Sequence, residues 1–290
     1  MALNKQVWVN QLMKNFYHVA SFLNYVTDLS SLVENNKLHV PEMGADPAVL
    51  VNNSTYPVSV TERVDTDNEI SLDVFDTENT MVRNAEAVEM AYDKLETVNQ
   101  GHKDTLMSTT GAKAAHAYAP SYNTATTPIL LTTGEDDGTG RKKCLPKDVM
   151  ALMNAYDDAG IPDDGQRYLV LCSEHLTDLM DFDLKSFKDI TDIINGQPKK
   201  FASFNILKYS DNPRYNPDTL EKSAFGSVTG NKCSFSFHKK EVMKADGTVK
   251  LFSKIDDPEQ RATIIGYQKR FVALPLRDKG VGAIVSANVE

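Results

Sequence analysis

Leu145 to Met180, LPKDVMALMNAYDDAGIPDDGQRYLVLCSEHLTDLM, is the stretch that decides the fold. Val149, Leu152, Met153 and Tyr156 recur at helical spacing and predict an amphipathic helix. Gly160-Ile161-Pro162-Asp163-Asp164-Gly165 is a turn cluster. Tyr168-Leu169-Val170-Leu171-Cys172 is apolar without alternation, the pattern of a strand buried on both faces. Ser173 can cap a short helix carrying Leu176, Leu179 and Met180 inward. Helix, turn, buried strand and helix in 36 residues predict a mixed α/β domain.

Downstream, Ser186 opens a helical pattern with Phe187, Ile190, Ile193 and Ile194 inward, stopped at Gly196. Phe201 to Tyr209 reads as extended. Ser223 to His238 and Thr248 to Phe252 read as strands, with Asp246-Gly247 as a hairpin turn. Asp257-Pro258-Glu259 introduces the late strands between Arg261 and Ala287.

Upstream, Thr127 to Thr133 is a strand that runs into Gly134-Glu135-Asp136-Asp137-Gly138-Thr139-Gly140-Arg141-Lys142-Lys143. That loop lacks the GxxxxGK[ST] order of a phosphate loop, and its three carboxylates repel phosphate, so it reads as surface. Met81, Ala85, Val88, Tyr92, Leu95 and Leu106 share one stripe of a long helix. Gly101 weakens it, Gly111 is a candidate break, and Pro120 ends it. Before it, Tyr56 to Val64 and Ile70 to Phe75 read as the arms of a hairpin turning at Asp65-Thr66-Asp67-Asn68. This hairpin is acidic: Glu62, Asp65, Asp67, Glu69, Asp73, Asp76 and Glu78 face Arg63 alone. Val9, Leu12, Met13, Phe16, Val19, Ala20 and Leu23 form an amphipathic N-terminal helix. Its polar face carries only Lys5 and Lys14, too few for a membrane-surface helix.

Of 290 residues, 41% are hydrophobic and 24% charged, which is a globular composition. The formal charge of -9 disfavours a broad nucleic-acid grip as the main role, leaving Arg141-Lys142-Lys143, Lys199-Lys200 and Lys239-Lys240 as local patches. Cys144, Cys172 and Cys233 are scattered, which argues against a disulfide framework and for a reducing cytoplasm. No signal-peptide h-region and no run of some 20 apolar residues is present, so no membrane is expected as a partner. The six histidines show no metal-ligand spacing; no metal and no cofactor is expected. Cys172 and His175 stand three apart at a strand-to-helix junction, a nucleophile geometry, but Cys172 ends an apolar strand and reads as a small buried hydrophobe. No catalytic residue is assigned.

The order of elements resembles the major capsid proteins of tailed bacteriophages, the Hong Kong 97-type fold. It runs N-terminal arm, long acidic hairpin, long helix, α/β domain and late strands. The 145–180 pattern, with Gly165-Gln166-Arg167 leading into an apolar strand, and Ile255 to Val285 are its most specific parts. The resemblance implies an α+β chain with arm at 1–50, extended loop at 51–80, spine helix and peripheral domain at 81–127, axial domain at 128–254 and peripheral return strands at 255–290. It implies a non-enzymatic structural protein that self-assembles into hexamers and pentamers forming an icosahedral shell around double-stranded DNA. Its partners would be itself, a portal, scaffold or decoration proteins and, weakly, DNA. It would be built in the host bacterial cytoplasm and end in the virion capsid. Glu62, Asp65, Asp67, Glu69 and Asp73 would then contact a basic surface of a neighbouring subunit, with Lys103, Lys113, Lys269 and Arg270 as receiving groups. Some relatives cross-link through a loop lysine; no lysine lies between Lys37 and Lys94 here. An encapsulin-like compartment shell, another virion or tail protein, and a cytoplasmic enzyme are the alternatives.

Overall fold

The computed structural model describes residues 22–42, 49, 51–54, 56–58, 60, 66–83, 94–182 and 199–289. The N-terminal amphipathic helix, the Ala85–Tyr92 part of the long helix and the helix expected at Ser186–Gly196 lie outside them. The described residues form three helices, α1 (Lys94–Tyr118), α2 (Pro146–Asp158) and α3 (Ser173–Phe182), and three sheets.

The seven-stranded sheet holds β7 (Ile129–Leu131), β8 (Arg167–Leu171), β9 (Lys199–Phe201), β10 (Phe204–Lys208), β11 (Arg214–Tyr215), β12 (Asn231–His238) and β15 (Val281–Val285). Its order is β7-β15-β12-β8-β10-β9, with β11 beside β12. Every residue of β8 is buried. Leu169 and Leu171 face α2 and α3 through Val149, Leu152, Tyr156, Leu176 and Leu179. Tyr168 and Val170 face the C-terminal half of α1, at Ala114, Ala115 and Tyr118. The unbroken apolar run is therefore a strand covered on both faces, as its sequence predicts. Ala202 and Ser203, at φ 45° and 62°, make the two-residue turn between β9 and β10.

The second sheet is built on the hairpin of β13 (Val242–Asp257) and β14 (Ala262–Pro275). It also holds β1 (Thr27–Asp28), β5 (Asp73–Asp76) and β6 (Thr80–Arg83). Here two sequence expectations fail. Asp246-Gly247 is no turn: β13 continues through it with a shift of register between Asp246 and Val249. Its glycine serves close approach, because a Cβ at Gly247 would stand 2.7 Å from the Leu72 side chain and 2.9 Å from Arg270. Met81 belongs to β6, paired with Ile264, and not to the long helix.

The third sheet is β2 (Val33–Glu34), β3 (Lys37–Glu42) and β4 (Thr66–Ser71). The expected hairpin is thus re-paired. β4 runs antiparallel to β3, from Lys37 opposite Ser71 to Glu42 opposite Thr66. Thr66, Asp67 and Asn68, read as a turn, are strand. Ile70, Leu72 and Val74 do not share a continuous strand, because the chain passes from one sheet to another at the buried Leu72.

α1 runs unbroken through Gly101 and Gly111. A Cβ at Gly111 would stand 3.0 Å from the Tyr209 hydroxyl, so glycine is set here by packing. The N-terminal half of α1 packs on β13 and β14 through Leu106 against Leu251, Ile265 and Tyr267. At the other end the buried Tyr118 hydroxyl donates to Met243 O at 3.0 Å.

Two buried polar groups tie the seven-stranded sheet to its helices. Arg167, 1% exposed, donates to Ile161 O at 2.5 Å, Pro162 O at 3.2 Å, Ser203 Oγ at 3.1 Å and Asp157 Oδ1 at 2.6 Å. It thereby closes the turn after α2. His175 is fully buried on α3, with Nδ1 2.7 Å from Ser234 Oγ on β12 and Nε2 2.8 Å from Ser286 Oγ. Its imidazole addresses two serines and not Cys172, whose Sγ accepts the His175 backbone N–H at 3.5 Å. Burial raises the Cys172 thiol above its ordinary value. The pair is a packing junction and not a thiolate–imidazolium dyad.

Arg167→Met strips donors from two carbonyls, a hydroxyl and a carboxylate in a closed site. A loss of about 3 kcal/mol is expected, read as a fall in urea midpoint. Arg167→Lys should rescue little, since one ammonium cannot span these acceptors. Asp157→Asn, at a half-exposed partner, should cost under about 1 kcal/mol.

Desolvation lowers the His175 imidazole to about 4 from 6.5. Between these values the unfolded chain binds the proton and the native chain does not. The stability contribution is therefore complete above pH 6.5 and is lost as pH falls toward 4. From pH 7 to 5 the loss is about 2 kcal/mol. Urea midpoints at pH 7 and 5 should show this slope, flattened in His175→Gln. Asp137 and Asp164 are lowered to about 2 and titrate below the window.

Candidate inter-subunit surfaces

Of the five acidic residues assigned to an inter-subunit contact, Glu62 and Asp65 lie outside the described residues. Asp67 sits on β4 opposite Pro41. Glu69 pairs with Lys37 of its own subunit, across the sheet. Asp73, on β5, stands 3.9 Å from Lys113 Nζ on α1. One of the expected receiving lysines thus meets one of the expected acids within the subunit. Both sides of that pair are about half exposed, so it contributes little by itself.

The other receiving groups separate by face. Side chains alternate along β13 and β14. Lys269 points inward: it is 4% exposed, its Nζ lies 2.6 Å from Asp246 Oδ1, and burial lowers its pKa. It cannot receive a neighbour's carboxylate. Arg270 is on the opposite, outer face, in phase with Gln268 and with Lys250, Phe252 and Lys254 of β13. Lys250 and Lys254 are exposed, and Phe252 keeps 53% of its surface. Met81, paired with Ile264, lies on this face and is exposed as well. Lys103 on α1 donates to Gln100 Oε1 at 3.3 Å. The outer face of the second sheet is therefore an apolar strip bordered by cations, and the sequence reading missed Lys250, Lys254 and Phe252. Alternation along β13 would have grouped them had the Asp246-Gly247 turn not cut the strand short.

The excursion between β3 and β4 carries a second surface. Val49, Val51, Tyr56, Val58 and Val60 are exposed, Tyr56 by 76% and Val60 by 96%. Several large apolar groups on one excursion, with no cover from their own subunit, form the kind of patch that marks an interaction site. Charge alone did not reveal it. Acidic residues drew the reading to positions 62–78, whereas the uncovered apolar side chains precede them.

Three cations of the local basic patches, Arg141, Lys143 and Lys240, are paired within the subunit. Arg141 makes paired bonds to Asp178, at 2.7 and 3.0 Å, and a further one to Asp137 at 2.9 Å. Lys143 reaches Asp181 at 3.0 Å and Lys240 reaches Asp164 at 3.1 Å. Lys199 and Lys200 lie on β9, at the end of the sheet order. In the glycine-rich loop Asp136 Oδ1 accepts from Gly138 N and Gly140 N, and Asp137 Oδ1 from Thr139 N. The amides a phosphate loop would offer to a ligand are thus bound to the loop's own carboxylates. Among the described residues no group of three His, Cys, Asp or Glu side chains gathers around a metal position. None of the described helices is long and apolar enough to cross a membrane.

No known protein family and no curated protein matches the sequence. Solved structures do match the fold. The capsid structure of Cyanophage P-SCSP1u is similar at a TM-score of 0.64 and 16% identity, over 92% of this chain and 87% of that one. The capsid of a native GTA particle is similar at 0.65 and 10% identity, over 92% and 90%. The virus-like particle from Pyrococcus furiosus is similar at 0.59 and 11% identity, over 97% and 99%. With likeness along nearly the whole of each chain, this protein has the Hong Kong 97-type capsid fold.

Proposed function

We propose that the protein is the major capsid protein of a tailed bacteriophage, a non-enzymatic subunit that self-assembles into hexamers and pentamers of an icosahedral shell around double-stranded DNA. The carrying observation is the fold match to capsid structures across more than nine-tenths of the chain. In this reading residues 1–50 are the arm and 51–80 the extended loop, with β3 added to the loop because it is the partner of β4. Residues 81–127 and 255–290 form the peripheral domain and 128–254 most of the axial domain. Portal, scaffold and decoration proteins are the further partners, with assembly in the host cytoplasm.

The contact surface is revised accordingly. Glu62, Asp65 and Asp67 supply the charge, Val49, Val51, Tyr56, Val58 and Val60 the apolar area. Lys250 and Arg270 around Phe252 and Met81 form the receiving face on a neighbour, with Lys254 held to Asp257 of its own subunit. Glu69 and Asp73 serve mainly their own subunit, through Lys37 and Lys113. An apolar patch and its complement on different faces of one chain make a heterologous contact, which closes into a ring when its rotation divides the circle. Charge sets partner and register, and apolar burial supplies most of the affinity.

A second reading has its own support. A virus-like particle from Pyrococcus furiosus matches over 97% of this chain, and on that match a compartment shell of the same fold is the alternative. Particles purified from the native source separate the two: nuclease-protected DNA of uniform length supports the phage capsid, and enclosed protein supports the compartment.

Purified protein should form rings or closed shells by negative-stain imaging and light scattering; a monomer at every concentration tested would defeat the proposal. Lys250→Glu should leave circular dichroism unchanged yet impair closure at low salt, while Glu69→Gln should close normally; Lys254 is left in place because it pairs with the buried Asp257 at 2.8 Å.

Mature particles boiled in detergent should run as one monomer band, because the loop carries no lysine to cross-link. A ladder mapping to residues 51–80 would contradict this.

A further inference from the structure

A groove of about 730 Å³ lies between α1 and the β5–β6 region. Val98, His102, Thr105 and Thr109 recur four, three and four residues apart, so they share one face of α1 and line it together. Val74 and Phe75 form the apolar part of the opposite wall, with Asp76 and Glu78 beside them. None of the lining residues is a lysine or an arginine. Gly101 keeps the groove open, because a Cβ there would find nothing within 4 Å.

The polar atoms that face this space are acceptors. Thr105 Oγ1 donates its hydrogen to Gly101 O at 3.0 Å, and Thr109 Oγ1 donates to Thr105 O at 2.9 Å. With those hydrogens committed to the helix, both hydroxyl oxygens can only accept. The Asp76 and Glu78 carboxylates accept as well. His102 is 8% exposed, and its Nε2 has no hydrogen-bond partner among the described residues. Burial lowers its pKa, so the ring is neutral at neutral pH and one of its nitrogens accepts. A buried nitrogen left without a partner is costly unless something meets it.

These features select an occupant by its chemistry. It must bring several N–H donors, carry positive charge to answer two carboxylates, and have apolar segments between its charges to lie on Val74, Phe75 and Val98. An anion is repelled. A bare metal ion has no apolar part, and no three ligand side chains gather for one among the described residues. From Thr105 to Thr109 the helix rises about 6 Å, the reach of a short methylene chain between two amines.

We propose that the groove between α1 and β5–β6 is a binding site for a linear aliphatic diamine or polyamine. Its methylenes lie on Val74, Phe75 and Val98, and its ammonium groups turn to Asp76, Glu78 and the hydroxyl oxygens of Thr105 and Thr109. The His102 ring takes a further N–H. The site is complete within one subunit and does not depend on the capsid reading.

The probe is putrescine, titrated calorimetrically into the full-length chain at low salt, with n-butylamine and magnesium chloride at matched ionic strength as controls. Saturable binding of putrescine is expected, several-fold tighter than that of n-butylamine, since the second ammonium gains an acceptor of its own. Glu78→Gln should weaken it several-fold, by an amount that shrinks as salt is added. Gly101→Leu fills the groove while favouring the helix, and should abolish binding with circular dichroism unchanged. Should that variant lose helix signal, Thr105→Val takes its place and should weaken binding several-fold. Putrescine that binds no better than n-butylamine, magnesium that binds more tightly than putrescine, or an affinity unmoved by these substitutions overturns the proposal. Shell formation is no part of this readout, so failure here and failure of the capsid reading are told apart.

Discussion

α1 is the constraint on which the rest of the structure depends, because two different sheets use it as their cover. Leu106 belongs to the cluster over β13 and β14, and Ala114, Ala115 and Tyr118 to the cluster over the seven-stranded sheet. Neither sheet could bury that face without the helix, so its straightness fixes their relative position. This explains why Gly101 and Gly111 do not break it. Helix propensity is worth about 1 kcal/mol per glycine, less than the tertiary packing spread along both halves. At Gly111 the packing even demands the missing side chain, since Tyr209 fills the space. Tyr118 fastens the far end by its hydrogen bond to Met243 O, on the strand that leaves for the other sheet.

What the sequence made legible followed from burial. The 145–180 stretch is legible because both faces of β8 and one face each of α2 and α3 are buried, so composition and period carry the information. Where the chain runs along an edge or between sheets, local signals misled. Asp-Gly at 246–247 has the chemistry of a hairpin turn, yet long antiparallel pairing with β14 on either side outweighs it, and the glycine answers to Leu72. β4 was given the wrong partner for a related reason: its neighbour β3 lies more than twenty residues upstream, and nothing in a polar strand states which distant edge it joins.

The acidic segment shows how charge density can point near a surface and still miss it. Positions 62–78 attract notice because seven carboxylates crowd there. Some of that charge is answered at home, by Lys37 and Lys113. The groups left uncovered among the described residues are valines and a tyrosine on the same excursion, and their exposure is a property of tertiary structure that charge density does not report. Lys269 makes the converse point. Its place beside Arg270 suggested one basic site, but alternation along a strand sends neighbours to opposite faces, and one of the two became the buried partner of Asp246.

The subunit therefore divides its polar groups between two tasks with different physics. Arg167, His175, Arg141 and Lys269 are enclosed and matched by geometry, so each holds one particular turn, strand or loop in place, and removing one partner leaves another unsatisfied. The lysines of the outer face are exposed and screened, so each contributes little alone and discriminates among partners only when many act together. Under the proposed function, a chain that meets copies of itself would need both. The enclosed set would make every copy the same shape, and identical shape is what allows weak, repeated surface contacts to add without accumulating misfit.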